Sequence, residues 1–178
     1  MIDRRLLLTG GGAAAVGAVT STAVAADGSP ALSPDGQGVR PGTQSGIHHI
    51  THPEGLAPGV GYSHVVWGTG PVVSIAGQVA FDESGKVVGP GDPAAQARQA
   101  FENLRRCLRA VSADFRDVLS LNIYVTDIAH MPAIRAARDR VIDPHRPPAA
   151  TAVQVGALAR PELLLEIQAL ALADAVTG

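Results

Sequence analysis

Aromatic residues are scarce in this chain of 178 residues, where Phe, Tyr and Trp together make up 3%. A core without them must be built from Val, Leu, Ile and Ala, and a hydrophobic content of 46% supplies enough for one ordinary domain. There is one cysteine, Cys107, so no intrachain disulfide can form even in an oxidising compartment. It falls mid-helix beside an apolar stripe and reads as a small buried hydrophobe rather than a nucleophile. An excess of basic residues is also missing. The formal net charge is −2, which disfavours a phosphate backbone as partner, so no nucleic-acid ligand is expected. Gly68-Thr69-Gly70 is a turn and not a phosphate loop, and no cofactor is implied.

The first 26 residues stand apart from the fold. Arg4-Arg5 precede Leu6-Leu7-Leu8, a weakly apolar Gly/Ala/Thr-rich run follows, and Ala23-Val24-Ala25 offers small residues for cleavage. Paired arginines before a mild apolar region fit a twin-arginine export signal, with Asp3 in place of the usual hydroxyl residue. A general secretory signal and an uncleaved anchor are the alternatives. The anchor is disfavoured because a spanning helix needs ~20 strongly apolar residues, and Gly10-Gly11-Gly12 interrupts the run. Export places the mature bacterial chain in the periplasm or outside the cell, with no stable membrane insertion after cleavage. Removing Asp3, Arg4 and Arg5 leaves 12 basic against 15 acidic residues, a net charge of −3.

Residues 27–60 are rich in Gly and Pro and lack a hydrophobic period, so they read as an arm, whose later part, Ile47–His52, could lie down on the domain. The domain proper is expected over 61–178. Strands are expected at Tyr62–Trp67 and Val72–Ala76, with a hairpin of Gln78–Phe81 and Lys86–Val88 around Asp82-Glu83-Ser84-Gly85. Asp92-Pro93 is a helix start, with Asp as N-cap and Pro in the first turn. Ala94, Ala97, Phe101, Leu104, Leu108 and Val111 then recur at helical spacing and form one buried stripe. Val118–Val125 is a β-branched strand, and Met131–Ile142 a second helix with Met131, Ile134, Val141 and Ile142 inward. Asp143-Pro144 closes that helix. Ala150–Val155 and Leu163–Leu172 are the last strands. Both helices can cover one face of a single sheet, and the other apolar face needs a cover, for which a second copy of the chain is the natural choice.

Five motifs occur in order: Gly61-Tyr62-Ser63-His64-Val65-Val66, Ile75-Ala76-Gly77-Gln78-Val79, Asp92-Pro93-Ala94-Ala95-Gln96-Ala97-Arg98-Gln99, Asn122-Ile123-Tyr124-Val125-Thr126-Asp127, and the closing pair Pro148-Ala149-Ala150-Thr151-Ala152 and Leu165-Glu166-Ile167-Gln168-Ala169-Leu170-Ala171. Over about Gly61 to Leu172 this pattern resembles the Rid family of reactive-intermediate (enamine/imine) deaminases. The resemblance implies an α+β, chorismate-mutase-like fold: a mixed β-sheet with two helices on one face, assembled as a homotrimer with clefts lined by two subunits. It also implies hydrolysis of a small enamine or imine to a carbonyl compound and ammonia.

Such a reaction needs a guanidinium to hold the substrate carboxylate and a carboxylate to activate water. The resemblance places the first on Ala150 and the second on Gln168, and neither residue type can do that work. A methyl group cannot pair with an anion, and an amide orients water without useful basicity. Backbone donors map to Gly77 and Ala152, beside Thr151, and Tyr62 matches the pocket tyrosine. Strand alternation sets Glu166 and Gln168 on one face and Leu165, Ile167, Ala169 and Ala171 on the other. The two polar residues either line the cleft, where they would be the catalytic pair, or face a wet subunit interface. Arg135 aligns near the pocket and either replaces the missing cation, or is a solvated surface arginine or pairs with Asp139 one turn on. His48, His49 and His52 have spacing that could hold a metal, but no carboxylate or Cys completes the set, so no metal site is assigned. His64 alternates with Tyr62 and faces either the pocket or an interface.

Overall fold

The computed structural model describes residues 46–173. The expected export signal, the first part of the arm and residues 174–178 lie outside the described residues. The described order is β1 (His48–Ile50), β2 (Val65–Trp67), β3 (Val72–Gln78), α1 (Pro93–Ala110), β4 (Val118–Val125), α2 (Met131–Arg138), β5 (Ala149–Gln154) and β6 (Leu165–Leu172). β3, β6, β4 and β5 form one sheet in that order, antiparallel except for the β4–β5 pair. A parallel pair needs a crossover, and α2 lies on it. β1 and β2 form a separate antiparallel ribbon.

Helix α1 begins as its sequence dictates, the Asp92 carboxylate accepting from the amides of Ala94 and Ala95 at 2.9 and 3.0 Å. Its stripe of Ala97, Phe101, Leu104 and Leu108 is buried against Leu121, Ile123, Leu165, Ile167 and Ala169 of the sheet and against Ile134 of α2. Cys107 is half-buried against this core. The face of the sheet away from the helices carries Val72, Ser74 and Leu170, all exposed. Among the described residues, no helix is long and apolar enough to cross a membrane.

Several elements differ in extent from the sequence expectation. Helix α2 ends at Arg138 rather than Ile142, because the amides of Arg140 and Val141 donate three residues back, to the carbonyls of Ala137 and Arg138, instead of four. That turn brings Ile142 into the core, where helix continuation was expected to place it. Of the Tyr62–Trp67 strand only Val65–Trp67 is regular, since the amide of Ser63 bonds to the Pro148 carbonyl at 3.0 Å and its hydroxyl donates to the Pro147 carbonyl at 2.6 Å. The Asp82–Gly85 turn forms, but the expected hairpin reduces to a single bridge, Phe81 to Val87. His48–Ile50, at the end of the arm, does lie down on the domain, pairing with β2.

Candidate functional site

A cavity of about 610 Å³ opens between α2, β5 and the segment leading into β2. Ile123 from β4, Met131 from α2 and Ile142 from the turn after it form an apolar floor. Ala150 and Ala152, alternate residues of β5, add two methyl groups. Tyr62 contributes a phenol, and Arg135, Arg138 and Asp139 form the polar wall. Of the residues singled out from the sequence, Tyr62, Arg135, Ala150 and Ala152 line this one cavity. Thr151 alternates onto the opposite face of the sheet, where it is exposed and its Cα pairs with that of Asn122.

Gly77, Glu166 and Gln168 form a second group, on the face away from the helices. β3 carries an extra residue here: Ile75 pairs with Ala169 and Gln78 with Ile167, so Ala76 and Gly77 both oppose Gln168. A bulge of this kind re-aims the backbone at a sheet position that would otherwise be regular. A side chain at position 77 would overlap the Glu166 carboxylate, so only glycine allows that carboxylate to rest on the strand. Gln168 is two residues away on the same face. The sheet separates this group from the cavity.

Arg138 was not anticipated from the sequence. Its side chain is 13% exposed. Nε donates to Asp139 Oδ1 at 2.8 Å, and Nη2 approaches the same oxygen at 2.7 Å. Asp139 is thus paired with Arg138, which removes the alternative in which it pairs with Arg135. Helical spacing was the available signal, since residues three apart share a face and Arg138 follows Arg135 by three. The guanidinium packs against Gly61, whose φ of +73° belongs to the left-handed region.

The histidines do not converge. The His48 ring stacks on Trp67 with centroids 4.1 Å apart, while His49 Nδ1 donates to the Pro147 carbonyl at 2.9 Å. The His64 and Tyr62 rings meet edge to face with centroids 5.2 Å apart, although the segment is not a regular strand, and His64 Nε2 donates to the Ala57 carbonyl at 2.8 Å. It secures the preceding loop and does not line the cavity. Burial holds the His49 pKa below its usual value, with the proximity of Arg146 adding to the effect.

A mixed sheet backed by two helices, with a cavity at its parallel edge and a bulged strand on the open face, defines an α+β protein of the chorismate-mutase-like class. The profile of the family described as Endoribonuclease L-PSP matches residues 53–173, and the chain belongs to this family, the Rid proteins. It is 33% identical over 122 residues to the 3-aminoacrylate deaminase RutC of Acinetobacter baylyi, an alignment covering 68% of this chain and 95% of RutC. The crystal structure of YyfB, a Rid-family protein of unknown function from Yersinia pestis, is similar at a TM-score of 0.63 and 37% identity, covering 71% of this chain and 98% of YyfB. RidA from an Antarctic Psychrobacter is similar at 0.54 and 28%, covering 72% and 99%.

Proposed function

We propose that this chain acts as an exported homotrimer whose inter-subunit clefts bind a small imine, carbonyl or carboxylate metabolite, with 2-aminoacrylate deaminase activity weak or absent. One observation carries the reading: the β5 position that would hold a substrate carboxylate presents the methyl group of Ala150 to the cavity. The arrangement of the two residue groups supports the assembly. Within one protomer the cavity and the Gly77–Glu166–Gln168 group lie on opposite sides of the sheet, so a small ligand touching both needs a second copy. The N-terminal arginines and Ala23-Val24-Ala25 support export, and N-terminal sequencing of the mature protein is expected to begin near Ala26 or Asp27.

A second reading, an active enamine or imine hydrolase with a rearranged site, is favoured by the Glu166 carboxylate resting on Gly77. In this reading Gln168 orients a water, Glu166 takes a proton from it as the water oxygen bonds to the imine carbon, and Glu166 passes that proton to the imine nitrogen; the resulting carbinolamine gives up its hydroxyl proton to the nitrogen as the C–N bond breaks, leaving a carbonyl compound and ammonia.

Ammonia release from freshly generated imino acids distinguishes the two. Wild-type protein is expected near the uncatalysed background, since loss of general-base help alone costs ~10²–10⁴-fold. Ala150→Arg with Gln168→Glu is expected to exceed either single substitution, because one group holds the anion and the other acts on water. Strong wild-type turnover that is lost in Glu166→Gln would establish the second reading instead.

A further inference from the structure

We infer that the cation of this site has moved from the sheet to helix α2, where Arg135 and Arg138 form a clamp for a carboxylate whose apolar body lies on Ile123, Met131 and Ile142. The inference rests on the reading that the cavity takes a small carboxylate metabolite. It adds where the anion sits and what size of ligand fits.

The two arginines are one helical turn apart and line the same cavity. Arg135 has no hydrogen-bond or ion-pair partner among the described residues. Arg138 is mostly buried and held by Asp139 through Nε and Nη2, and its Nη1 has no acceptor among the described residues. Asp139 is therefore a positioning residue: it fixes the guanidinium plane and leaves a donor free. Two guanidiniums against one carboxylate leave the cavity wall with one net positive charge, which suits a monoanion. A charge-assisted bond to a guanidinium already ordered by packing costs little further side-chain freedom.

Ligand size follows from the opposite wall. At positions 150 and 152 the methyl groups add apolar surface to the floor and carry no polar group. A cavity of about 610 Å³ falls within the ~300–1,000 Å³ typical of ligand pockets and far exceeds the needs of a three-carbon acid. The site fits a carboxylate with a branched or aromatic body.

Calorimetry on the mature protein tests this with three probes: 4-methyl-2-oxopentanoate, pyruvate, and the uncharged 4-methylpentan-2-one. The branched acid is expected to bind about 10-fold or more tighter than pyruvate through its extra buried carbons. Arg135→Gln and Arg138→Gln are each expected to weaken the branched acid by about 10-fold and leave the ketone unchanged. Asp139→Asn should weaken it less, with recovery in Asp139→Glu. Ala150→Leu should weaken the branched acid and spare pyruvate. If Arg138→Gln does not fold, Arg135→Gln and the salt dependence carry the test, since screening weakens the acid and not the ketone. Undiminished binding of the branched acid by the Arg135→Gln/Arg138→Gln double variant overturns the clamp, and equal affinity for pyruvate overturns the size assignment. If the wild type binds neither acid, the small-carboxylate reading falls, and the clamp with it.

Discussion

Gly61 ties backbone conformation to site chemistry. Its left-handed φ costs an L-residue roughly 1–2 kcal/mol, and a Cβ there would lie 2.5 Å from Arg138 Nη2. Gly61→Ala is expected to lower thermal stability modestly and to push the guanidinium off Asp139. Carboxylate affinity should then fall in proportion to that of Arg138→Gln, as binding and melting measurements on the same samples would show. Unchanged affinity would mean that the Arg138 position does not matter. His49 supplies a second test at this scale. Its folded pKa lies below its ordinary 6.5, so the unfolded chain takes up a proton first as pH falls. The favourable contribution of neutral His49 is present above about pH 6.5 and is lost as pH falls through the folded pKa. Urea unfolding at pH 8, 7, 6 and 5 should show a steeper loss of stability for wild type than for His49→Gln, and parallel curves would contradict this.

At the scale of elements, the buried amide of Gln96 joins three segments. Its Nε2 donates to the carbonyls of Gly89 at 3.2 Å and Glu162 at 2.7 Å, and its Oε1 accepts from the Leu164 amide at 2.9 Å. One side chain on α1 thus ties the loop before the helix to the loop that launches β6, the strand carrying Glu166 and Gln168. Leucine would fill the space and leave the Glu162 carbonyl and the Leu164 amide without partners, while the Gly89 carbonyl keeps the Asp92 amide. Gln96→Leu is expected to cost about 3 kcal/mol, since each stranded buried group costs ~1–3 kcal/mol and some will reach water. Chemical denaturation reads this directly, and a change below about 0.5 kcal/mol would show that the clip is dispensable. Ser63 and His49 play a similar part on the other side, both donating to the Pro147 carbonyl and holding the β1–β2 ribbon to the entrance of β5.

For the whole molecule, the open face of the sheet is the surface on which the proposed assembly rests. Val72, Val153 and Leu170 are 67%, 41% and 40% exposed, and Glu166 and Gln168 share their face. Light scattering at micromolar concentration is expected to give a trimer, and Leu170→Asp to give a monomer that keeps its helical circular dichroism. A wild-type monomer would refute the assembly, and with it any site shared between copies.

The sequence by itself determined the local structure and the class. The Asp92-Pro93 cap, the helical stripe from Ala97 to Leu108 and the alternation of β6 are short-range patterns, and each holds in the structure because local geometry sets the period. The five ordered motifs pointed to the family, and by that resemblance Ala150 and Gln168 stand where a guanidinium and a carboxylate are expected. The tertiary structure decided what depends on distant partners. Ser63 leaves the strand because Pro147 and Pro148, 84 and 85 residues on, accept its hydrogen bonds. Asp139 pairs with Arg138 and leaves Arg135 open to the cavity, a choice that helical spacing alone does not make. The bulge at Ala76–Gly77 depends on the register with β6, and it sets the Glu166 carboxylate against Gly77. These outcomes were not legible in the sequence because each one depends on which groups long-range packing brings within hydrogen-bonding reach.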